Sequence, residues 1–235
     1  MYRAIFFDLD GTLLPMDFEV FTKAYFKELC IVLAQFGIAP EQAIGAVWSG
    51  TEAMITNDGQ RTNKELFWEK FHESVGKGDI DAYVAATDPF YDEGFHKVKA
   101  VTGENPLARE AVEAAGRNGR TVVLATNPLF PRLAQISRLS WIGLKGEDFA
   151  LITDYETDSY CKPNPKYYLS VCERIGVAPE ECLMVGNDES DDMMGASEAG
   201  LDCYLVTDCL IPSDKFNWTG KRGTFAQLVE YLKTV

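Results

Sequence analysis

Two aspartates near the start of the chain, Asp8 and Asp10, follow an apolar run. Leu9 separates them, and Gly11 and Thr12 come directly after the second. In a β-strand, residues i and i+2 point to the same side, so these two carboxylates would emerge together from the end of a strand. Such a pair is costly in a buried setting because the carboxylates repel each other and lose their hydration. The pattern therefore indicates chemistry: either a cation lies between the carboxylates, or one is a nucleophile and the other a proton carrier.

Three later segments also place polar residues at or near the ends of apolar runs. Thr126 and Asn127 end one such run, Lys162 precedes a Pro-Asn-Pro sequence, and the acidic segment 187–192 (NDESDD) ends another. Ligands of an open parallel sheet bind beyond the carboxyl ends of its strands, so we expect the four segments to meet in one crevice. A nucleophile, a hydroxyl donor, a cation and an acidic cluster together suit Mg²⁺-dependent phosphoryl transfer.

In that reaction Asp8 would attack phosphorus, and Asp10 would protonate the leaving oxygen and then deprotonate the attacking water. Thr126 and Lys162 would donate hydrogen bonds to the phosphoryl oxygens. Mg²⁺ prefers a few oxygen ligands completed by water and substrate. This preference predicts ligation by Asp8, by the Asp10 main-chain carbonyl and by one acid from segment 187–192.

The elements that must position these residues follow from hydrophobic periodicity. After residue 102, apolar runs typical of strands alternate with helical patterns, which predicts an α/β fold with a doubly wound parallel sheet. The predicted strands lie at 3–9, 120–127, 149–152, 182–185 and 202–206. Residues 17–98 carry helical patterns without a strand, and Pro89 is expected to break the last of these helices. We therefore expect an all-helical insertion at 17–98, placed after the first strand of a Rossmann-like core formed by 1–16 and 99–235.

Composition narrows the classes of function. The 235 residues are 46% hydrophobic and carry a net charge of −14, which disfavours non-specific binding to nucleic acid or to an anionic membrane. No apolar run is long enough to span a bilayer, no basic leader precedes the first strand, and the six cysteines are scattered. These features predict a cytoplasmic protein with free thiols.

The aromatic residues and histidines of the helical segment are not expected to do chemistry. His72 and His96, the only two histidines, both fall there, away from the four polar segments. A histidine-based mechanism therefore has little support. Trp48, Trp68 and Phe71 are expected to pack in the core of the helical segment.

The four polar segments resemble the motifs of the haloacid dehalogenase (HAD) superfamily, on its phosphatase side. Residues 8–12 (DLDGT) resemble the first motif, DxDGT, and Thr126 resembles the Ser or Thr of the second. Lys162 with its Pro-Asn-Pro resembles the third motif, and the acidic segment 187–192 resembles the fourth. The helical segment between the first two motifs resembles the helical C1-type cap of that family.

The resemblance implies that Asp8 forms an aspartyl-phosphate intermediate and that Asp10 is the general acid and base. It implies that Mg²⁺ is held by Asp8, Asp10 and an acid of the fourth motif. It also implies that the phosphoryl group is bound by a set drawn from the first three motifs. That set is Asp8, Gly11, Thr126, Asn127 and Lys162.

The fourth motif departs from the commonest family pattern. An acid often follows the glycine directly, whereas Asn187 follows Gly186 here and Asp188 comes one residue later. Asp188 is the preferred metal ligand, and Asp192 is expected to position Lys162 or a metal-bound water. Asp191 is the less favoured partner, so ligation by Asp188 alone or with Asp191 or Asp192 stays open.

Four functions remain compatible with the sequence. The leading one is hydrolysis of a small phosphorylated metabolite beneath the cap, and a phosphomutase or phosphotransferase is the second. A 2-haloacid dehalogenase is disfavoured because halide needs no protonation and Asp10 would have no task. A non-catalytic binding module is disfavoured because all four chemical segments are present. Neither the substrate nor the oligomeric state is indicated.

Overall fold

The computed structural model describes residues 2–235 and contains a parallel six-stranded sheet in the order β3-β2-β1-β4-β5-β6. The strands are β1 (Ala4–Phe7), β2 (Thr121–Leu124), β3 (Leu151–Ile152), β4 (Cys182–Gly186), β5 (Asp202–Val206) and β6 (Arg222–Gly223). β1 lies in the middle and pairs with both β2 and β4, with Ile5 opposite Val122 and Leu183. The prediction of a doubly wound parallel α/β fold is confirmed.

Nine α-helices accompany the sheet in residues 2–235. They are α1 (Phe18–Leu33), α2 (Pro40–Ile55), α3 (Asn63–Val75), α4 (Ile80–Asp92), α5 (Ala108–Ala115), α6 (Arg132–Trp141), α7 (Pro165–Ile175), α8 (Gly195–Glu198) and α9 (Phe225–Thr234). A 3₁₀ helix over Gly94–Val101 follows α4. No single helix in this range is long and apolar enough to cross a membrane. α1, extended to Phe36, and α2 meet that criterion only when joined across a bend of 108°.

Both faces of the sheet are covered, as expected for a parallel sheet. Alternate residues of β1 enter two different cores, with Ile5 and Phe7 on one face and Ala4 and Phe6 on the other. The first core continues into the helices between β1 and β2: the ring centroid of Phe21, on α1, is 6.5 Å from that of Phe130, which lies between β2 and α6. The helical segment and the sheet layer therefore share one apolar core.

Three helices of the inserted segment, α1, α3 and α4, begin at side-chain caps. Asp17 accepts a hydrogen bond from the main-chain N–H of Val20 at the start of α1. Thr62 and Glu65 form a reciprocal capping box at the start of α3. These caps satisfy N–H groups that have no partner within a helix, and they fix where each helix starts.

Pro89 does not break its helix, contrary to the prediction, because α4 runs through it to Asp92. A proline inside a helix costs about 3 kcal/mol. The two residues that follow it, Phe90 and Tyr91, are buried, and burying an aromatic side chain contributes roughly 1.5–3 kcal/mol. Tertiary packing of these two side chains therefore outweighs the local cost.

Two strands differ from the predicted ones. The predicted strand over 149–152 shortens to β3, and β6 was not predicted at all. A π-helical turn over Glu189–Met194 precedes α8, which is only four residues long. That turn starts where the Asp188 carboxylate accepts main-chain hydrogen bonds from Ser190 and Asp191, at 2.7 and 2.8 Å.

Candidate active site

Asp8 lies one residue beyond β1, where its main-chain N–H donates to the Val185 carbonyl over 2.9 Å. The Lys162 ammonium bridges two carboxylates, with Nζ 2.9 Å from Asp8 Oδ1 and 2.7 Å from Asp192 Oδ1. Burial raises the pKa of Asp8 to about 8, and the charges of Asp192 and Asp10 add to this rise while Lys162 opposes it. The single ammonium of Lys162 is therefore shared between two buried carboxylates, with a third, that of Asp10, nearby.

Asp192 is fixed by the main chain that it caps. Its Oδ2 accepts hydrogen bonds from the N–H groups of Asn187 and Asp188, both over 3.0 Å. A Cβ atom on Gly186 would lie only 2.1 Å from that same oxygen, so this position requires glycine. With Oδ2 held in this way, Oδ1 of Asp192 is directed at Lys162. Of the two expected tasks for Asp192, the structure displays the contact with Lys162.

Thr126 is buried and lines the same cleft as Asp8 and Lys162. Its carbonyl accepts hydrogen bonds from the hydroxyls of Thr153 and Tyr167, at 2.7 and 2.9 Å. Neither hydroxyl was singled out from the sequence. These two hydrogen bonds hold the main chain at Thr126, so the position of its side chain at the cleft is fixed.

Asn127 connects two loops in addition to lining the cleft. Its Nδ2 donates to Asp191 Oδ2 over 3.1 Å, and its Oδ1 accepts from the Lys162 main-chain N–H over 3.3 Å. The predicted phosphate contact from its side-chain amide therefore competes with hydrogen bonds that already hold the second, third and fourth segments together.

Gly11, which was predicted to bind phosphate, uses its main-chain N–H in another hydrogen bond. Its N–H donates to the Leu14 carbonyl over 2.8 Å instead of facing the cleft. Its φ is +85°, and a Cβ there would lie 2.3 Å from Asn187 Nδ2. Thr12 donates to Asn187 Oδ1 over 2.8 Å, so the absence of a side chain at Gly11 lets the first and fourth segments lock together.

The acidic residues of the fourth segment are partly buried near one another. Burial raises the pKa of Asp188, and main-chain hydrogen bonds partly offset that rise. Burial and then repulsion from Asp188 and Asp192 raise the pKa of Asp191 to about 6. A cluster of carboxylates that resist ionisation is one that a bound cation would stabilise.

The donor set fits Mg²⁺ better than a cation that requires many protein ligands. Asp10 Oδ1 is buried and has no hydrogen-bond partner within residues 2–235. No cluster of three His, Cys, Asp or Glu side chains in this range is arranged to hold a metal ion by itself. Mg²⁺ is usually held by one or two carboxylates, with water and phosphate oxygens completing the octahedron. Asp8, the Asp10 main-chain carbonyl and Asp188 match that requirement.

Arg138 is a further site residue that the sequence did not single out. It is fully buried on α6 and donates hydrogen bonds to Asp10 Oδ2 and to Gln135 Oε1. Its guanidinium also lies over the Phe130 ring, 4.5 Å from the centroid. Arg138 shares a helix face with the buried residues Ala134 and Trp141. An arginine on the apolar stripe of a helix is the signal that would have identified it.

The cleft contains all the predicted functional residues except Gly11, and four apolar side chains border it. Its volume is about 290 Å³. The lining residues outside the four segments are Phe18, Leu129, Phe130 and Ile211. The histidines lie elsewhere: His96 Nδ1 accepts from Trp141 Nε1, and His72 Nε2 is 3.2 Å from the Gly78 carbonyl.

A family model described as haloacid dehalogenase-like hydrolase matches residues 2–200. The chain belongs to this family. The resemblance inferred from the four segments is thereby confirmed, and so is the prediction that the protein is an enzyme.

Two curated relatives of this hydrolase are phosphatases by name. Phosphoglycolate phosphatase 1 of Pseudomonas aeruginosa is 29% identical over 207 residues, which cover 87% of this chain and 69% of the relative. Glyceraldehyde 3-phosphate phosphatase of Methanothermobacter thermautotrophicus is 24% identical over 221 residues, covering 92% and 90% of the two chains.

Solved structures establish the fold of this hydrolase independently. The 2-haloacid dehalogenase of Pseudomonas syringae superposes with a TM-score of 0.62 at 19% identity, covering 100% of this chain and 99% of that chain. At this identity the similarity shows the fold alone. Shared architecture does not separate phosphatase from dehalogenase chemistry, so the residues of the cleft must do so.

Proposed function

We propose that this hydrolase cleaves a small-molecule phosphate monoester in an Mg²⁺-dependent reaction, through an aspartyl-phosphate on Asp8. The observation that carries the proposal is the group at the end of β1, where Asp8 lies beside Asp10 and its Oδ1 is 2.9 Å from Lys162 Nζ. The curated relatives named for phosphoglycolate and glyceraldehyde 3-phosphate support a small phosphorylated substrate.

The reaction would proceed in two displacements at phosphorus. An Asp8 carboxylate oxygen forms a bond to phosphorus while the bond to the ester oxygen breaks, and Asp10 transfers its proton to that leaving oxygen. Asp10 then removes a proton from water, whose oxygen attacks phosphorus and releases inorganic phosphate from Asp8. Bound Mg²⁺ would supply the positive charge that lets two anions approach.

The remaining residues hold the transferred group and the acid–base residue in place. Lys162 would donate to a phosphoryl oxygen from a position fixed by Asp192, and the Thr126 hydroxyl would donate from the opposite loop. Arg138 would orient Asp10 through the oxygen that it already contacts. Asp8, the Asp10 carbonyl and Asp188 would hold the metal, with Asp191 and Asp192 nearby.

Asp10 and Arg138 favour phosphate hydrolysis over dehalogenation. A departing halide needs no proton, whereas an alkoxide leaving group does, and the buried Arg138 would hold Asp10 in place for that transfer. A phosphomutase or phosphotransferase would use the same residues with a sugar hydroxyl in place of water. The family assignment disfavours a non-catalytic binding module.

We also propose that residues 17–98 are a cap domain over a core formed by 1–16 and 99–235. Phe18, at the first position of α1, lines the catalytic cleft together with core residues. An element that borders the cleft is suited to excluding water and selecting the substrate. A cytoplasmic location agrees with the six cysteines, which form no disulfide among residues 2–235.

A phosphatase assay with an activated aryl phosphate tests this proposal. We expect hydrolysis with Mg²⁺, loss of activity with excess EDTA and recovery when Mg²⁺ is restored. The Asp8→Asn variant is the matched control, because it keeps the size of the side chain and removes the nucleophile. Equal activity with and without EDTA, or in Asp8→Asn, would contradict the proposal.

A further inference from the structure

A second cavity, of about 90 Å³, lies between the helical segment and the core beside the catalytic cleft. The two cavities share three lining residues, Phe18, Leu129 and Phe130. Whatever is esterified to a phosphoryl group held at Asp8 would therefore extend along these side chains. No Asp, Glu, Lys, Arg or His lines this second cavity in the described part of the chain.

The polar atoms around this cavity mostly bond to one another. Pairing within the protein makes most of these groups poorer partners for a hydroxylated substrate. The pairs are Tyr25 with Tyr91 at 2.8 Å, Trp68 with Tyr155 at 3.3 Å, and Thr51 and Thr87 with main-chain carbonyls of their own helices at 2.9 and 3.1 Å. Tyr155 accepts in its pair and keeps its own O–H donor, so the lining is mostly apolar with a few hydroxyl groups at its edge.

Two large apolar side chains that line the cavity remain in contact with solvent. Phe18 is 54% exposed and Trp48 is 47% exposed, although both belong to helices with buried faces. The Trp48 ring packs on Phe26 with centroids 5.6 Å apart. The prediction that Trp48 belongs to the core of the helical segment is therefore wrong, whereas Trp68 and Phe71 are buried as predicted.

The charges that line the adjoining cleft also disfavour an anionic leaving group. Five carboxylates line the cleft, from Asp8, Asp10, Asp188, Asp191 and Asp192, and Lys162 is its one lining cation in the described residues. Lys162 is already shared between two carboxylates. A leaving group with its own carboxylate would find no unshared cationic side chain there, and burying an unpaired charge is strongly unfavourable.

We infer that the substrate is a phosphate monoester of an apolar alcohol, whose hydrocarbon part occupies the second cavity. This inference rests on the proposed phosphatase function and specifies its substrate class. An engineered cavity of about 150 Å³ accommodates benzene, so a cavity of about 90 Å³ suits a short alkyl group. The enzyme selects against sugar phosphates and carboxylated phosphates such as phosphoglycolate.

A series of non-hydrolysable phosphonates separates the phosphoryl site from the cavity. Methyl-, ethyl-, propyl- and butylphosphonate are titrated into the Mg²⁺-loaded protein by calorimetry, with carboxymethylphosphonate as the anionic comparison. We expect about fourfold tighter binding for each methylene added until the cavity is full, which corresponds to the transfer free energy of a buried methylene. Carboxymethylphosphonate should bind more weakly than propylphosphonate. The order of kcat/KM for the corresponding phosphate esters should be the same.

Variants on α1 and α2 locate the effect. Trp48→Ala should reduce the gain to less than twofold per methylene, because it removes a wall of the cavity. Ile55→Ala is the matched control, because Ile55 is a 46% exposed apolar residue of the same helix that does not line the cavity. Thr22→Lys, which introduces a cation at the cavity lining, should improve the relative affinity for carboxymethylphosphonate.

Failures of the inference and of the proposed function give different results. A flat chain-length series, or preference for carboxymethylphosphonate, in an enzyme that hydrolyses phosphate esters would overturn the substrate class alone. Absence of Mg²⁺-dependent hydrolysis of every ester would overturn the proposed function. In that case, binding that tightens with chain length and depends on Trp48 would still support the apolar cavity as a ligand site.

Discussion

Single residues at this site are arranged for reactivity at the expense of stability. Asp8 is buried next to two other carboxylates, and its raised pKa records the cost of ionising it there. Lys162 offsets only part of that cost because Asp192 shares it. A carboxylate kept in such a position is expected to contribute to chemistry and to reduce the stability of the protein.

Asp8→Asn should therefore lose turnover without losing the fold. We expect kcat to fall by about 10³-fold or more because the amide is a poor nucleophile. The melting temperature should stay the same or rise, because one of the mutually repelling charges disappears. Steady-state kinetics and a thermal melt check both parts. A large drop in melting temperature would show that the Asp8–Lys162 pair is mainly structural.

Arg138 should act through Asp10. Arg138→Met removes the hydrogen bond to Asp10 Oδ2, so kcat should fall at least about tenfold while KM changes little. Arg138→Lys should restore little, because one ammonium does not reproduce the planar donors shared between Asp10 and Gln135. These values come from initial-rate kinetics on folded variants.

A double-mutant cycle decides whether Arg138 works by positioning Asp10. Adding Arg138→Met to Asp10→Asn should reduce kcat much less than it does in the wild-type background. Additive losses would contradict this role and indicate that Arg138 contributes elsewhere.

At the scale of elements, the sequence was most informative where strands end in polar residues. The end of β1, Thr126 after β2, Lys162 before α7 and the segment after β4 all meet in one cleft, as strand-end logic requires. The sequence was least informative where long-range packing decides the outcome. Burial of Phe90 and Tyr91 carries α4 through Pro89, and this requires knowing which helices lie opposite.

The same limit explains the functional residues that were missed. The partnership of Arg138 with Asp10 joins α6 to the first segment across 128 positions, and no local pattern encodes that distance. The hydroxyls of Thr153 and Tyr167 meet the Thr126 carbonyl only after β3 and α7 have packed. The ends of strands can be predicted from the local sequence, whereas contacts between distant elements cannot.

Gly186 should be essential at the junction of β4 and its loop. In Gly186→Ala the new methyl group collides with the Asp192 carboxylate, so Lys162 loses its fixed partner. We expect a loss of about 1–3 kcal/mol in the free energy of unfolding, together with a marked loss of kcat. Chemical denaturation and kinetics measure the two effects.

Gly45→Ala is the matched control on the exposed face of α2. A Cβ at Gly45 meets nothing within 4 Å, so alanine should stabilise the protein by roughly 0.5–1 kcal/mol through helix propensity. Its activity should match the wild type. Equal effects of the two substitutions would contradict the steric explanation for Gly186.

At the scale of the whole molecule, a strongly acidic protein concentrates carboxylates around one cleft. The net charge is −14, and five aspartates border the candidate active site. A divalent cation bound there would relieve local repulsion and favour the folded state by mass action.

Mg²⁺ should therefore raise the melting temperature of the protein. At a concentration about 100-fold above Kd, binding contributes about 2.7 kcal/mol, which corresponds to a rise of roughly 5–10 °C for a domain of this size. EDTA should remove the rise, and Asp188→Asn should weaken it. Differential scanning calorimetry with K⁺ at matched ionic strength controls for general screening. An identical rise with K⁺ would contradict a specific site.

The most direct test of the account is chemical identification of the residue that carries phosphate. The Asp10→Asn variant is incubated with Mg²⁺ and an activated aryl phosphate. The aryl leaving group needs no protonation, so the intermediate can still form. Its hydrolysis should be slow because the variant lacks the base that activates water. After acid quenching, borohydride reduction converts any aspartyl-phosphate to homoserine. Peptide mass spectrometry then identifies the position of the homoserine. We expect homoserine at position 8, dependent on Mg²⁺ and on substrate. A stoichiometric release of the aryl alcohol with Asp8 unmodified would contradict it.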